Sequence, residues 1–211
     1  MPAPIPSRLA GKLAAMRCDP AEFRALPLEV HALLHDVPLR DVTAIDLPGG
    51  GPGRTLADVR ALLPQGASGA GNPVARALFG LRWALGRLFD WDRAPTPDER
   101  AQWSYEVRLL PALRARSQVA PGTRDGSFQT MYRLDQEMLV EIRNATVHAF
   151  LASVLLPNPG GSGYRLYWAV SVKKVSWLTP LYMAAIEPFR RFIVYPSLFR
   201  GIRRAWCARY T

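Results

Sequence analysis

A histidine and a glutamate in the second half of the chain are placed where they could act as an acid and a base. His148 lies inside a β-rich run, and Glu141 lies in the preceding run, before the turn composition Asn144-Ala145. A hairpin at that turn would bring the two side chains together on neighbouring strands. An imidazole beside a carboxylate suits general acid–base catalysis. No second carboxylate or nucleophile stands at catalytic spacing, so a purely structural His148 remains the alternative.

Other residues with chemical potential do not form recognisable sites. His31 and His35 have the four-residue spacing of a helical metal pair, but zinc needs three or four ligands and no Glu follows His31 as in H-E-x-x-H. The cysteines, Cys18 and Cys207, are too few for a disulfide scaffold or a four-cysteine zinc site, and they are typical of thiols in a reducing compartment. No nucleophile elbow, CxxC or P-loop pattern occurs. We therefore expect neither a metal nor a cofactor.

Composition predicts one well-packed domain. The chain has 211 residues, of which 49% are hydrophobic and 21% charged, which excludes a disordered protein. Its net charge is +10, but 24 of the 27 basic residues are arginines spread along the chain. Because no recognition-helix motif accompanies that charge, nucleic acid is not an expected partner. Without a secretory signal pattern or an apolar run of about 18 residues, the expected location is the cytoplasm.

The first half of the chain has a helical pattern around one strand. Residues 1–22 read as an N-terminal arm, and short helices are predicted over 27–35 and 55–63. The second of these carries Thr55 and Asp58 at the spacing of a capping box. A longer amphipathic helix is predicted over 73–89. A strand is predicted over 39–47, and the glycine-rich residues 48–53 after it read as a turn.

The second half changes to a β pattern. Strands are predicted over 126–134, 138–143, 146–156 and 164–173, with turn compositions between them, and an earlier strand is predicted over 103–110. Consecutive strands should be antiparallel, and helical content follows them to the end of the chain. The order predicts an α+β fold. In 164–173, alternation puts Tyr164, Leu166, Trp168 and Val170 on the face toward the terminal helix, with Arg165 on the other face.

The terminal segment carries two apolar stripes that are out of phase. Tyr182, Ile186 and Phe189 share one helical face, whereas Phe199 and Trp206 share another, roughly opposite. We therefore predict a break or a change of phase near Tyr195-Pro196, where proline also removes a hydrogen bond. Residues 197–209 would then form a separate basic amphipathic helix.

Three segments resemble a bacterial family of unknown function that is placed in the START-like superfamily, also called SRPBCC or polyketide cyclase/dehydrase-like. They are EIRNATVHAF (141–150), YRLYWAVSV (164–172) and LTPLYMAAIEPFRRFIVYPSLFRGIRRAW (178–206). The resemblance implies a helix-grip domain over 23–211, in which a curved antiparallel sheet wraps a long C-terminal helix around an apolar cavity. It also implies a hydrophobic small molecule or lipid as partner.

Three functions follow as expectations. The first is non-catalytic binding in a cavity, whose lining residues would be Tyr164, Leu166, Trp168, Val170, Tyr182 and Phe189. The second is a cyclase or dehydratase type of enzyme that uses His148 and Glu141. The third is attachment to an anionic membrane or acidic partner through the terminal helix, which would present Arg200, Arg203, Arg204 and Trp206.

Overall fold

The computed structural model describes residues 18–62, 96–126, 128–143, 147–159, 161–177 and 179–211. They form an α+β fold around one curved, six-stranded antiparallel sheet with the strand order β1-β6-β5-β4-β3-β2. The strands are β1 (Leu39–Leu47), β2 (Thr123–Asp125), β3 (Phe128–Arg133), β4 (Glu137–Arg143), β5 (His148–Pro157) and β6 (Tyr164–Lys173). The predicted meander and the predicted α+β class are confirmed.

Short helices precede the meander and a long helical segment follows it. They are α1 (Pro20–Arg24), α2 (Glu29–Leu33), α3 (Leu56–Ala61), α4 (Pro97–Trp103), a 3₁₀ turn (Tyr105–Arg108), α5 (Pro111–Arg116), α6 (Thr179–Phe189), a π-helical turn (Arg190–Val194) and α7 (Tyr195–Tyr210). The capping box before α3 is confirmed, since the backbone N–H of Thr55 donates to the Asp58 carboxylate at 2.9 Å. No helix among these described residues is long and apolar enough to cross a bilayer.

Two separate cores cover the two faces of the sheet. The inner face, which carries Leu47, Leu155 and Leu166, packs against α3 and α7. The outer face, which carries Phe150 and Tyr167, packs against the helices before β1 and those around the 3₁₀ turn. Apolar side chains of both parities along β5 are explained by this arrangement, because both faces of a central strand are covered.

The terminal helical segment changes phase, as the stripes predict. The π-helical turn Arg190–Val194 inserts the extra residue just before Pro196, which lies in the first turn of α7. Proline has no N–H to donate, so the regular bonding pattern ends there and the following stripe rotates toward the sheet. Phe199, Ile202 and Trp206 are thereby buried on the inner face.

Some sequence predictions differ from the structure or lie outside it. The strand predicted over 103–110 is wrong, because that segment ends α4 and then forms the 3₁₀ turn with Ser104 as its N-cap. The helix predicted over 73–89 lies outside the described residues. Of the predicted arm, residues 18–22 are described, and they pack on the domain: Cys18 is buried, and Glu22 accepts a bond from the Tyr167 hydroxyl at 2.8 Å.

Candidate functional site

The inner face of the sheet has one half whose side chains are fully buried and one half whose side chains are partly exposed. Near Leu47, the side chains of α7 fill the space: Trp206 has no exposed surface, and its indole N–H donates to the Pro48 carbonyl at 2.9 Å. Phe199 also reaches the sheet and packs edge-on against Trp168 with ring centroids 5.8 Å apart. Beyond Trp168, apolar side chains of this face are only half-buried.

On the other half of the inner face, apolar side chains remain half-buried. We call this set the open half; its members are Ala149, Leu151, Trp168, Val170 and Val172. Leu151 pairs with Val170 across β5 and β6, and Ala149 pairs with Val172 in the next row. Neighbouring strands place such partners side by side on one face, so their accessible surface is continuous. A contiguous apolar surface of this kind is what a hydrophobic ligand needs.

A polar cluster borders the open half at the edge strand β1. It consists of Asp41, Arg190 and Tyr195, and Asp41 pairs with Val170 in the sheet. Arg190 Nη2 donates to Asp41 Oδ2 at 2.7 Å and also to the Tyr195 hydroxyl, and that hydroxyl donates to Asp41 Oδ1 at 3.3 Å. The π-helical turn is what brings Arg190 and Tyr195 to one side of the helical segment. Such turns are frequent at functional sites.

Burial dominates the electrostatics of this polar cluster. It raises the pKa of Asp41 above its ordinary value, although Arg190 and Tyr195 partly oppose the shift. Burial also raises the pKa of Tyr195, so its hydroxyl stays protonated and can donate. The side chains of Asp41 and Arg190 are 18% and 15% exposed, so their charges interact where water screens them little.

Two hydroxyls on the inner face have no hydrogen-bond partner within the described part of the chain: Ser153 Oγ and Thr130 Oγ1. Ser153 is 4% exposed and Thr130 has no exposed surface. Ser153 pairs with Trp168 on β6, and Thr130 pairs with Val140 on β4. A buried hydroxyl that bonds to nothing is unusual in a native fold, because it has lost its hydrogen bonds to water.

The residues predicted to line a cavity lie in different environments. Trp168 and Val170 belong to the open half. Tyr164 and Leu166 share their face but are covered by α7, so we correct their assignment: neither contributes surface to the open half. Sequence parity identifies the face, but it does not tell how far the helix extends over it. The side chains of Tyr182 and Phe189 lie outside the described residues.

His148 and Glu141 are brought together, but on the outer face. His148 Nε2 lies 3.1 Å from Glu141 Oε2, and each side chain is 1% exposed. Their positions along β5 and β4 share the parity of Phe150 and Leu139, which belong to the outer core. The sheet therefore separates the pair from the open half.

Contacts around the pair point to a structural role. The Ser104 hydroxyl donates to Glu141 Oε1, and the Tyr105 N–H points to Glu141 Oε2 at 3.4 Å. Glu141 therefore accepts hydrogen bonds from the residues at the start of the 3₁₀ turn. His148 is packed edge-on by the rings of Trp103 and Tyr105, with centroids 5.2 and 5.5 Å away. Burial lowers the pKa of His148 despite the carboxylate beside it.

A second buried carboxylate on β4 acts in the same way. Glu137 accepts the backbone N–H groups of Glu29 and Val30 at 3.0 and 2.8 Å, and the Tyr132 hydroxyl at 2.6 Å. It thus fixes the start of α2, as Glu141 fixes the 3₁₀ turn. Carboxylates favour helix N-termini because these present unpaired N–H donors. β4 therefore carries two anchors for outer-face helices.

The terminal helix carries basic residues on its exposed side. Arg200, Arg203 and Arg204 are exposed, and no ion pair joins them to a carboxylate within the described ranges. Trp206 does not accompany them: it is fully buried beside Tyr164, so its predicted place on a membrane or partner surface is wrong. An amphipathic helix that packs on its own domain directs its apolar stripe inward.

His31 on α2 and His35 in the turn after it each bond to a nearby backbone carbonyl. His31 Nε2 bonds with the Phe23 carbonyl at 3.0 Å, and His35 Nδ1 bonds with the Ala32 carbonyl at 2.9 Å. Across the part of the chain that the structure describes, no group of three or more potential metal ligands occurs.

An open pocket of about 380 Å³ lies between the glycine-rich loop after β1 and the β5–β6 hairpin, at the end of the sheet that α7 covers. Its described lining residues include Gly51, Pro52, Pro157 and Tyr164, and none of these described residues carries a carboxylate, an imidazole or a cation. The Tyr164 hydroxyl is already engaged, since it donates to the Gly51 carbonyl at 2.8 Å. The pocket is concave, but few of its described side chains could bind a ligand by hydrogen bonds or take part in a reaction.

Sequence reasoning missed the polar cluster and Ser153. Asp41 lies in a strand of mixed pattern, and Arg190 is one of many arginines, so neither was distinguishable by type. The one available signal was the phase change before Pro196. It locates a helical irregularity without showing which strand the irregularity faces.

The sheet, its terminal helix and the open half together define an α+β domain of helix-grip architecture. A family model described as protein of unknown function (DUF2867) matches residues 33–197. The chain belongs to that family. Comparisons with curated proteins and with solved structures returned no match.

Proposed function

We propose that this protein binds a hydrophobic small molecule or lipid on the open half of the inner face, without catalysing a reaction. The observation that carries the proposal is the division of that face. One half is covered by α7, whereas Leu151, Val170 and their neighbours keep accessible apolar surface beside a partly buried polar cluster. An apolar surface with a few convergent polar groups is the usual composition of a ligand site. The resemblance to START-like proteins supports the same function.

His148 and Glu141, the residues first considered for catalysis, do not support an enzymatic function. His148 and Glu141 lie on the outer face, and their contacts are with Ser104 and aromatic rings. A general acid or base must reach the proton it transfers, directly or through one water. The proposal therefore assigns the pair to stability.

Attachment to an anionic membrane is a second candidate, which the exposed arginines of α7 favour. Arg200, Arg203 and Arg204 form a basic face without carboxylate partners among the described residues. Such a face attracts anionic lipid, and the two functions are compatible because the open half and this face belong to different surfaces.

Binding is tested with a neutral apolar dye, Nile red, whose fluorescence rises in an apolar site. The blocking variant is Ala149→Trp, which would fill part of the open half. The matched control is Trp177→Ala, since Trp177 is 74% exposed and offers the dye an alternative apolar surface. Saturable binding that is lost in Ala149→Trp and kept in Trp177→Ala is expected. Binding that survives Ala149→Trp would contradict the proposal, and native mass spectrometry would identify a ligand that copurifies.

A further inference from the structure

We infer that the ligand is uncharged and carries a hydroxyl or carbonyl oxygen, which bonds with the Ser153 hydroxyl. This inference rests on the proposed function and narrows its ligand class. It depends on two features of the inner face: the charge balance of the polar cluster and the unpartnered hydroxyls.

The polar cluster has no free positive charge to offer an anion. Arg190 is neutralised by Asp41, with which it forms an ion pair at 2.7 Å. Arg40 and Arg191 both pair with Glu187, at 2.7 and 3.4 Å. A ligand carboxylate that approached Arg190 would therefore meet the Asp41 carboxylate as well. Like charges placed side by side disfavour binding, so the cluster selects against a fatty-acid anion.

Ser153 supplies the neutral hydrogen-bonding group. Its hydroxyl is buried and unpartnered within the described residues, and it lies one row from Leu151 and beside Trp168 on the inner face. A ligand seated against Leu151 and Val170 is one row from Ser153. Because the Ser153 hydroxyl has no accessible surface of its own, the ligand bonds with it by entering beneath the half-buried Trp168 side chain. A hydroxyl both donates and accepts, so it serves either a ligand hydroxyl or a ligand carbonyl.

The spacing of the two polar features sets the size of the ligand. Strand spacing and rise place Ser153 roughly 10–12 Å from Asp41, across β6. A ligand that contacts both is longer than one aromatic ring, and the side chains between its ends, Trp168 and Val170, are apolar. The ligand is therefore apolar in its middle.

The test uses three molecules of one shape: 2-naphthol, which is neutral and has a hydroxyl, naphthalene, which has none, and 2-naphthoate, which is an anion. Each displaces Nile red from the full chain at pH 7.5. We expect 2-naphthol to displace the dye at concentrations about tenfold lower than 2-naphthoate. In Ser153→Ala, the affinity ratio of 2-naphthol to naphthalene should fall about fivefold. In Asp41→Asn, Arg190 becomes uncompensated, and 2-naphthoate should gain about tenfold relative to 2-naphthol.

The outcomes separate the two proposals. Nile red that fails to bind, or that binds equally to Ala149→Trp, overturns the proposed function. Normal dye binding combined with equal displacement by 2-naphthoate and 2-naphthol overturns only the ligand class. An unchanged affinity ratio in Ser153→Ala, in a protein that still binds the dye, removes Ser153 as the partner of the ligand oxygen.

Discussion

Removing the Glu141 carboxylate should destabilise the protein strongly, because one buried side chain holds two elements together. Its two oxygens face Ser104 Oγ, the Tyr105 N–H and His148 Nε2, and the side chain is 1% exposed. A hydrogen bond to a charged group contributes about 1.5–3 kcal/mol. Removing the carboxylate also leaves the buried groups that donate to it without an acceptor, at about 1–3 kcal/mol for each group. Glu141→Ala should therefore lower the free energy of unfolding by about 4 kcal/mol.

Glu141→Gln separates charge from shape. The amide keeps one acceptor oxygen but turns an NH₂ group toward groups that donate, so a loss of about 2 kcal/mol is expected. Urea unfolding followed by tryptophan fluorescence measures both variants, and Asp98→Asn on the exposed side of α4 is the control. A loss below about 1 kcal/mol for Glu141→Ala would refute the structural assignment of the pair.

The same pair predicts a dependence of stability on pH. Burial lowers the pKa of His148 below its usual 6.5, so near that pH the unfolded chain binds a proton that the folded chain does not. Stability should therefore fall as the pH drops below 6.5, by at most about 1.4 kcal/mol per pH unit, until the folded-state pKa is reached. His148→Gln removes this contribution. Parallel pH profiles for wild type and His148→Gln would contradict the assignment.

Three further predictions concern the end of the sheet that α7 covers and the basic face of α7. Trp206→Ala should cost about 3–5 kcal/mol in urea unfolding, because its fully buried ring fills the space above the sheet, whereas Trp206→Phe should cost less. Gly163→Ala should destabilise by more than 1 kcal/mol, since its φ is +114° and an added Cβ would meet the Leu47 carbonyl oxygen; Gly161→Ala, with open space around it, is the matched control. The triple change Arg200/Arg203/Arg204→Gln should weaken co-sedimentation with anionic vesicles by about 1 kcal/mol per arginine at low salt, and equal binding by both proteins would remove the membrane hypothesis.

Much of the sheet was predictable because its signals are local. The bounds of β1 and β6 coincide with the runs predicted over 39–47 and 164–173. Alternation also separated Trp168 and Val170 from Arg165 correctly, because successive side chains in a strand point to opposite faces. The phase change before Pro196 followed from helix geometry alone.

The failures share a physical cause, which is contact between distant parts of the chain. Residues 103–110 look like a strand, but the buried Glu141 carboxylate and the Ser104 cap favour the 3₁₀ turn there. Trp206 has the spacing of an exposed amphipathic stripe, and only the packing of α7 on β1 and β6 buries it.

The sequence by itself determined the fold class, the order of the strands along the chain, the face on which each side chain of β6 lies and the helical irregularity near Pro196. These depend on periods of two and 3.6 residues and on the chemistry of proline, all of which act over a few neighbours. The tertiary structure alone decided that α7 covers Leu166 but leaves Val170 accessible, and that Arg190 meets Asp41. Coverage and pairing of this kind depend on which surfaces distant segments bury together, and no local pattern encodes that choice.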